Sequence, residues 1–197
     1  MKIEAYILVG GRSTRFGSDK ALAVIDGATL AERAYTRMSD AFGKENVCFV
    51  ARDEESFAVE AGRLEADVVY DEIEDRGPIG GLYTALTHAS TEWIFLFACD
   101  LTDVTWSYIS ALEGKIEDKY GVVIPEQPDG RLQPLCAFYN VAPTLPIVRE
   151  MLGEDGKTAA MMSVIDRLEA RVAKAKEFVL YPPVTFTNVN HPSDIEK

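Results

Sequence analysis

The feature that most constrains the fold is a regular alternation of short apolar runs with segments of helical periodicity. Two runs, residues 3–9 and 92–98, are apolar almost throughout, which is typical of strands buried on both faces of a sheet. Shorter apolar runs at residues 47–51 and 68–70 lie between them. This order predicts an α/β fold with three layers, in which helices cover both faces of a mostly parallel sheet.

Local signals predict where several helices begin. Thr29 and Glu32 have the spacing of a capping box, so a helix should start at residue 30 and continue to about residue 41. A Gly-Pro turn at residues 77–81 should open a helix that reaches about His88. Thr102 or Asp103 should cap the helix that ends near Gly114. The remaining expected elements are strands at 120–124, 135–139 and 178–181, a helix at 161–168 and a short helix at 192–196.

Length and charge limit the classes of protein that this chain can represent. The 197 residues contain no linker-like segment, so we expect one domain over residues 1–197. A net charge of −12 argues against a general nucleic-acid binder. The N-terminus has no signal-peptide pattern, and the apolar runs are far shorter than the ~20 residues of a membrane span. Three widely separated cysteines predict free thiols in a reducing compartment, so we expect a cytoplasmic protein without membrane contact.

The segment after the first strand, LVGGRSTRFGSDK, predicts a binding site for a polyanion. Adjacent glycines let backbone N–H groups approach a ligand, and Arg12, Arg15 and Lys20 concentrate positive charge in an acidic chain. Ser18 stands where the Walker pattern requires lysine, and the dinucleotide pattern G-x-G-x-x-G is absent. Because ligands of such sheets bind beyond the carboxyl ends of the strands, we expect the site there.

Two aspartates follow later strands, where functional side chains are expected in this kind of fold. Asp71 precedes the turn at residues 77–81, and Asp100 ends the strongest predicted strand. A carboxylate at the latter position can coordinate Mg²⁺ together with substrate phosphates. The neighbouring Cys99 is expected to be buried rather than to act as a nucleophile.

Further polar segments suit either a ligand or a surface turn. Arg131 offers a fork that matches phosphate, but it also suits an exposed hairpin. Asn188 and Asn190 could orient phosphate or form a turn before the last helix. Lys157 is better interpreted as part of a solvated loop.

The spacing G-G-x-x-x-R-x-G-x-x-K resembles the signature of nucleotidyltransferases with a Rossmann-like sheet, the nucleotide-diphospho-sugar transferase-like fold. More narrowly, LVGGRSTRFGSDKAL is similar to the molybdenum cofactor guanylyltransferase family, and matching segments follow in order to Asp194. This resemblance implies transfer of GMP from GTP to molybdopterin, with release of pyrophosphate. It also implies transient contact with proteins of the molybdenum pathway.

The resemblance also implies roles for individual residues. Arg15, Lys20 and Asp100 would be catalytic, and Asp100 would bind the Mg²⁺ cofactor. Asp71 would help to seat the guanine nucleotide. The residues implied in nucleotide or substrate binding are Leu8, Val9, Gly10, Gly11, Lys20, Asp71, Gly80, Asp100, Arg131, Asn188 and Asn190.

Two alternatives remain open at this point. Val50 stands where the family often has an asparagine that contacts the nucleotide, so the chain could instead be a cytidylyltransferase for molybdopterin or another phosphorylated acceptor. A non-catalytic protein that binds the cofactor is the second alternative. Such a protein could dispense with Lys20 or Asp100, and this chain retains both.

Overall fold

The computed structural model describes residues 1–9, 20–153 and 160–178. Its strands are β1 (Ile3–Leu8), β2 (Val24–Ile25), β3 (Ala28–Thr29), β4 (Val47–Ala51), β5 (Asp67–Tyr70), β6 (Trp93–Ala98), β7 (Val122–Pro125), β8 (Cys136–Asn140) and β9 (Ala170–Ala173). Its α-helices are α1 (Leu30–Phe42), α2 (Glu54–Leu64), α3 (Pro78–His88), α4 (Trp106–Glu113), α5 (Val141–Gly153) and α6 (Met161–Ile165).

Seven strands form one sheet in the order β5-β4-β1-β6-β8-β7-β9, while β2 and β3 form a separate hairpin. Strand β8 pairs antiparallel with both β6 and β7, and the other pairings in the large sheet are parallel. The predicted mostly parallel sheet is therefore confirmed. The run at residues 92–98 is confirmed as the central strand, because β6 is the fourth of the seven strands. Every residue of β6 is buried.

The sheet separates two hydrophobic clusters, as expected for three layers. Alternate residues of β1 point to opposite faces, with Ile7 in one cluster and Leu8 in the other. Helices α1, α2 and α4 pack on the first face, and helices α3 and α5 pack on the second. The fold thus buries both faces of the strands and leaves their carboxyl ends available for a site.

The caps of two helices test the expectations about helix starts. Thr29 caps α1 as predicted, because its Oγ1 accepts the Glu32 N–H at 3.0 Å. The prediction for α4 is wrong: neither Thr102 nor Asp103 is its cap, and Thr105 Oγ1 accepts the Tyr108 N–H at 3.3 Å. The chain stays non-helical for three further residues, during which Val104 is buried in the core.

Several elements differ from the sequence prediction. Helices α2 and α5, the β2–β3 hairpin and the edge strand β9 were not expected, and α6 ends at Ile165 rather than at Leu168. The strand expected to start at Phe178 is wrong at that residue, which lies in a 3₁₀ turn, Ala175–Phe178. Residues 179–181 and the expected helix at 192–196 lie outside the described residues.

No α-helix within the described ranges combines the length and the apolarity that crossing a bilayer requires. Cys48, Cys99 and Cys136 carry free thiols, and the last two are buried. Burial raises the pKa of the Cys48 thiol to about 12.

Candidate active site

The candidate site lies where the carboxyl ends of the central strands meet. Beyond the strand ends, the Val9 N–H donates to the Val50 carbonyl at 3.0 Å, and the Asp71 N–H donates to the Ala51 carbonyl at 2.8 Å. The Cys99 N–H donates to the Leu8 carbonyl at 3.3 Å. These bonds extend the strand ladder, so the residues that follow β1, β4, β5 and β6 are held along one edge.

Lys20 and Asp100 meet at this edge. Lys20 Nζ lies 2.6 Å from Asp100 Oδ2, and the two side chains are only 18% and 20% exposed. Lys20 begins a 3₁₀ turn, Lys20–Leu22, which is anchored by the buried Ala21. A short contact between opposite charges is a strong, charge-assisted hydrogen bond. Lys20 and Asp100, the two candidate residues predicted from the sequence, are therefore in contact although they lie 80 positions apart in the chain.

Asp71 lies in a more desolvated environment. Burial is the largest influence on its carboxyl group and raises its pKa to about 6, while a hydrogen bond with Thr84 opposes the rise. Its Oδ1 atom is buried and has no hydrogen-bond partner among the described residues. A buried oxygen without a partner is costly, so it is suited to accept a hydrogen bond from a ligand.

Thr84 supports this part of the site, and the sequence analysis did not select it. Its Oγ1 accepts the Glu72 N–H at 3.1 Å and also lies 3.1 Å from the Gly80 carbonyl oxygen. The side chain is fully buried on α3. In the sequence, Thr84 is recognisable as a hydroxyl residue on the apolar face of the helix predicted to end at His88.

Two positions at the start of α3 require glycine, one because of its backbone conformation and the other because of close packing. Gly77 has φ +60° and ψ −149°, a backbone conformation that side chains other than glycine rarely adopt. A Cβ atom at Gly80 would lie 3.0 Å from Arg76 Cβ and 3.2 Å from the Ile73 carbonyl oxygen. The turn therefore brings the start of α3 close to the loop that follows Asp71.

We expect Asp71 to make the stability of the protein depend on pH. Its pKa rises from an ordinary 3.8 to about 6, so between these pH values the folded protein binds more protons than the unfolded chain does. The stabilising contribution is complete below about pH 3.8 and is lost as the pH rises through about 6. Asp71→Asn should abolish this loss and raise the free energy of unfolding at pH 7, relative to wild type, by roughly 1–3 kcal/mol.

Urea unfolding of wild type and Asp71→Asn at pH 5 and pH 7.5 measures this effect. Asp67→Asn is the matched control, because Asp67 is an exposed carboxylate at the start of β5, the strand that Asp71 directly follows. If the free energy of unfolding depends on pH equally in wild type and Asp71→Asn, Asp71 is not the source of the pH dependence.

The donor set at this edge suits a hard cation that is shared with a substrate. Among the described residues, no three His, Cys, Asp or Glu side chains cluster closely enough to hold a metal ion. Asp100 thus offers a single carboxylate, and Mg²⁺ is usually held by one or two carboxylates plus phosphate oxygens and water. The contact with Lys20 shows that this carboxylate already faces positive charge.

Other predicted site residues are placed differently. Leu8 ends β1 at the same edge and Val9 directly follows it, while Gly80 lies in the first turn of α3. Arg131 follows β7 at this edge, but its side chain is 76% exposed and its Nε contacts Asp129 Oδ2 at 2.7 Å. The remaining candidates lie outside the described residues: Gly10, Gly11, Arg12, Arg15, Lys157, Asn188 and Asn190.

Comparisons with known proteins identify relatives of this chain. The family model described as the MobA-like NTP transferase domain matches residues 5–172. A molybdenum cofactor guanylyltransferase of Desulfosudis oleivorans is 28% identical over 198 residues, covering 99% of this chain and 93% of the relative. A probable molybdenum cofactor guanylyltransferase of Bacillus licheniformis is 34% identical over 202 residues, covering 100% of this chain and 96% of the relative.

Solved structures show the same fold. The molybdopterin-guanine dinucleotide biosynthesis protein A of Archaeoglobus fulgidus has a TM-score of 0.81 at 24% identity, over 98% of this chain and 95% of that chain. The 2-C-methyl-D-erythritol 4-phosphate cytidylyltransferase of Thermus thermophilus has a TM-score of 0.66 at 13% identity, over 100% and 96%.

The open α/β sheet and the family match over residues 5–172 together define an α/β nucleotidyltransferase. The predicted nucleotide-diphospho-sugar transferase-like fold is thereby confirmed. Since the family model spans most of the sequence, the chain belongs to the MobA-like NTP transferase family.

Proposed function

We propose that this chain transfers GMP from GTP to molybdopterin, or to its molybdenum-loaded form, and releases pyrophosphate. The observation that carries the proposal is the contact between Lys20 and Asp100 at the carboxyl edge of the sheet. One cation and one carboxylate, side by side, can serve the anionic and the metal-bound parts of a nucleoside triphosphate. The names of the full-length relatives supply the substrates of the proposal.

The reaction needs little chemistry from side chains. A terminal phosphate oxygen of molybdopterin attacks the α-phosphorus of GTP, and the bond from that phosphorus to the bridging oxygen of pyrophosphate breaks. The attacking oxygen is already anionic near neutral pH, so no general base is required. Catalysis then depends on positioning the two substrates and on stabilising charge in the transition state.

Each part of the site has a proposed task. Lys20 and Arg15 hold the triphosphate and stabilise the leaving pyrophosphate, while Asp100 holds Mg²⁺. When bound, Mg²⁺ would neutralise charge on the phosphate oxygens. We assign nucleotide binding to Leu8, Val9, Gly10, Gly11 and Gly80, and recognition of the pterin side to Arg131, Asn188 and Asn190.

Asp71 supports guanine as the preferred base. Its unpartnered Oδ1 can accept a hydrogen bond, and the edge of guanine carries adjacent N1–H and N2–H₂ donors. Cytosine presents acceptors at the corresponding ring positions and would leave this oxygen without a partner. Val50 does not add a polar contact, because its side chain is buried and its carbonyl accepts the Val9 N–H.

An assay with Mg²⁺, molybdopterin and each of the four nucleoside triphosphates tests the proposal. We expect dinucleotide and pyrophosphate with GTP, and kcat/KM values lower by at least about 10²-fold with the other three, because a polar pocket discriminates strongly. Asp71→Asn should narrow the gap between GTP and CTP. Preference for CTP would make the chain a cytidylyltransferase, and tight pterin binding without product from any nucleotide would make it a binding protein.

The proposal extends to the setting of the reaction. We treat residues 1–197 as one nucleotidyltransferase domain, since both hydrophobic clusters pack against one sheet. Free thiols favour a cytoplasmic location. Transient contact with proteins that supply or receive the cofactor accords with a product that must be handed on.

A further inference from the structure

Arg37 on α1 contacts the segment that follows Asp100. Its Nη1 donates to the Leu101 carbonyl at 3.1 Å, and its Nη2 donates to the Thr102 carbonyl at 2.7 Å. These are the two residues directly after Asp100, and they lie 64 and 65 positions from Arg37 in the sequence. A single guanidinium group therefore bridges α1 and the loop between β6 and α4.

The environment of Arg37 makes this contact unusual. Burial is the largest influence on the guanidinium and lowers its pKa, and the nearby charge of Arg33 acts in the same direction. Within the described ranges, Arg37 forms no ion pair, and its hydrogen bonds go to main-chain carbonyls. Partial burial of a cation is unfavourable unless strong hydrogen bonds offset it, and the two carbonyls provide them.

The segment around Asp100 is held on both sides. Before it, the Cys99 N–H donates to the Leu8 carbonyl at 3.3 Å, which ties the segment to β1. After it, Leu101 is buried and its N–H donates to the Ala98 carbonyl at 3.2 Å. Arg37 adds the connection from this turn to α1, so its two bonds restrict the backbone that presents the Asp100 carboxylate.

We propose that Arg37 is a positioning residue, which orients the Asp100 carboxylate toward the metal and the triphosphate by holding the Leu101 and Thr102 carbonyls. The inference rests on the metal-binding role of Asp100 in the proposed function. In this proposal Arg37 acts through the main chain rather than by contact with a substrate. Its effect passes through two main-chain carbonyls and should appear in metal affinity more than in folding stability.

Mn²⁺ binding provides a test that does not depend on turnover. Free Mn²⁺ is measured by electron paramagnetic resonance during titration of the protein with GTP present and pterin omitted, and a titration of GTP without protein gives the Mn²⁺ that the nucleotide chelates by itself. Arg37→Met keeps the apolar stem and removes both donors, so Mn²⁺ affinity should fall by about tenfold or more, as is typical for residues that orient metal ligands. The Mg²⁺ concentration for half-maximal turnover should rise by a similar factor.

Arg33→Met is the matched control. Arg33 lies one turn earlier on α1, and its Nη1 donates to the Ile25 carbonyl and contacts Asp26 Oδ2, both at 3.3 Å. It therefore attaches the same helix to the β2–β3 hairpin instead of to the Asp100 segment. We expect Mn²⁺ affinity close to that of wild type. Hydrogen exchange of the amides in residues 99–105 should accelerate in Arg37→Met and not in Arg33→Met.

The outcomes separate this inference from the proposed function. If Asp100→Asn binds Mn²⁺ as tightly as wild type, the metal role of Asp100 is wrong and the inference about Arg37 is overturned with it. If Asp100→Asn loses the metal and Arg37→Met keeps full affinity, only the inference about Arg37 is overturned. Should Arg37→Met not fold, Arg37→Lys decides: weakened Mn²⁺ binding in the folded variant supports the inference, and wild-type affinity overturns it.

Discussion

Asp100→Asn should lower kcat by about 10²–10³-fold while the protein remains folded, because the amide loses the charge that holds the cation on the triphosphate. The side chain is one-fifth exposed, and its described partner is Lys20. The amide oxygen introduced by Asp100→Asn can still accept a hydrogen bond from Lys20 Nζ, and the Lys20 side chain is 18% exposed, so the protein should remain folded with a moderately lower melting temperature. Pyrophosphate release from GTP and molybdopterin, measured over a range of Mg²⁺ concentrations, checks the prediction.

Asp166→Asn is the control for this experiment. Asp166 lies at the end of α6 with an exposed side chain, so its replacement should leave turnover unchanged. A rate for Asp100→Asn within about threefold of wild type at saturating Mg²⁺ would remove Asp100 from the proposed metal site.

The second large effect is expected for Lys20→Gln. Lys20 is proposed to contact the triphosphate and the leaving pyrophosphate, so kcat/KM for GTP should fall by about 10²–10³-fold. Because Lys20 and Asp100 touch each other, their effects should not be independent. The double variant Lys20→Gln/Asp100→Asn should lose less activity than the product of the two single losses.

Lys115→Gln provides a matched control for Lys20→Gln. Lys115 Nζ lies 2.9 Å from Glu177 Oε2, and the exposures of 20% and 26% resemble those of the pair at the site. Lys115→Gln therefore shows how much activity is lost when a largely buried lysine is replaced outside the candidate active site. Equal losses in both variants, or fully multiplicative losses in the double variant, would contradict the role of Lys20.

The sequence predicted the sheet and the charged pair because strong local patterns coincide with the fold there. Continuous apolar runs can be buried on both faces only in the interior of a sheet, and β1 and β6 occupy such positions. The capping box at Thr29 depends on one local hydrogen bond, which the structure contains. Lys20 and Asp100 each follow such a strand, so their proximity follows from the topology.

Elements that depend on distant contacts could not be predicted in the same way. Helix α5 contains Pro146, which removes a main-chain donor, yet Val148 and Leu152 pack into the core and stabilise the helix. Strand β9 is short, lies at the edge of the sheet and pairs only with β7 among the described residues. Thr105 rather than Thr102 caps α4, and the bond from Arg37 holds the Thr102 carbonyl outside the helix.

The reversed direction of β8 has a consequence for how this pocket can diversify. Its start lies beside the end of β6, so the connection over residues 126–135 reaches the same rim as the loops of the parallel strands. In the proposed function, the triphosphate is bound by residues up to Asp100, whereas the connection between β7 and β8 supplies a separate part of the rim. Under that proposal, grafting a different connection between β7 and β8 is a route to new acceptor substrates that leaves the triphosphate-binding residues unchanged.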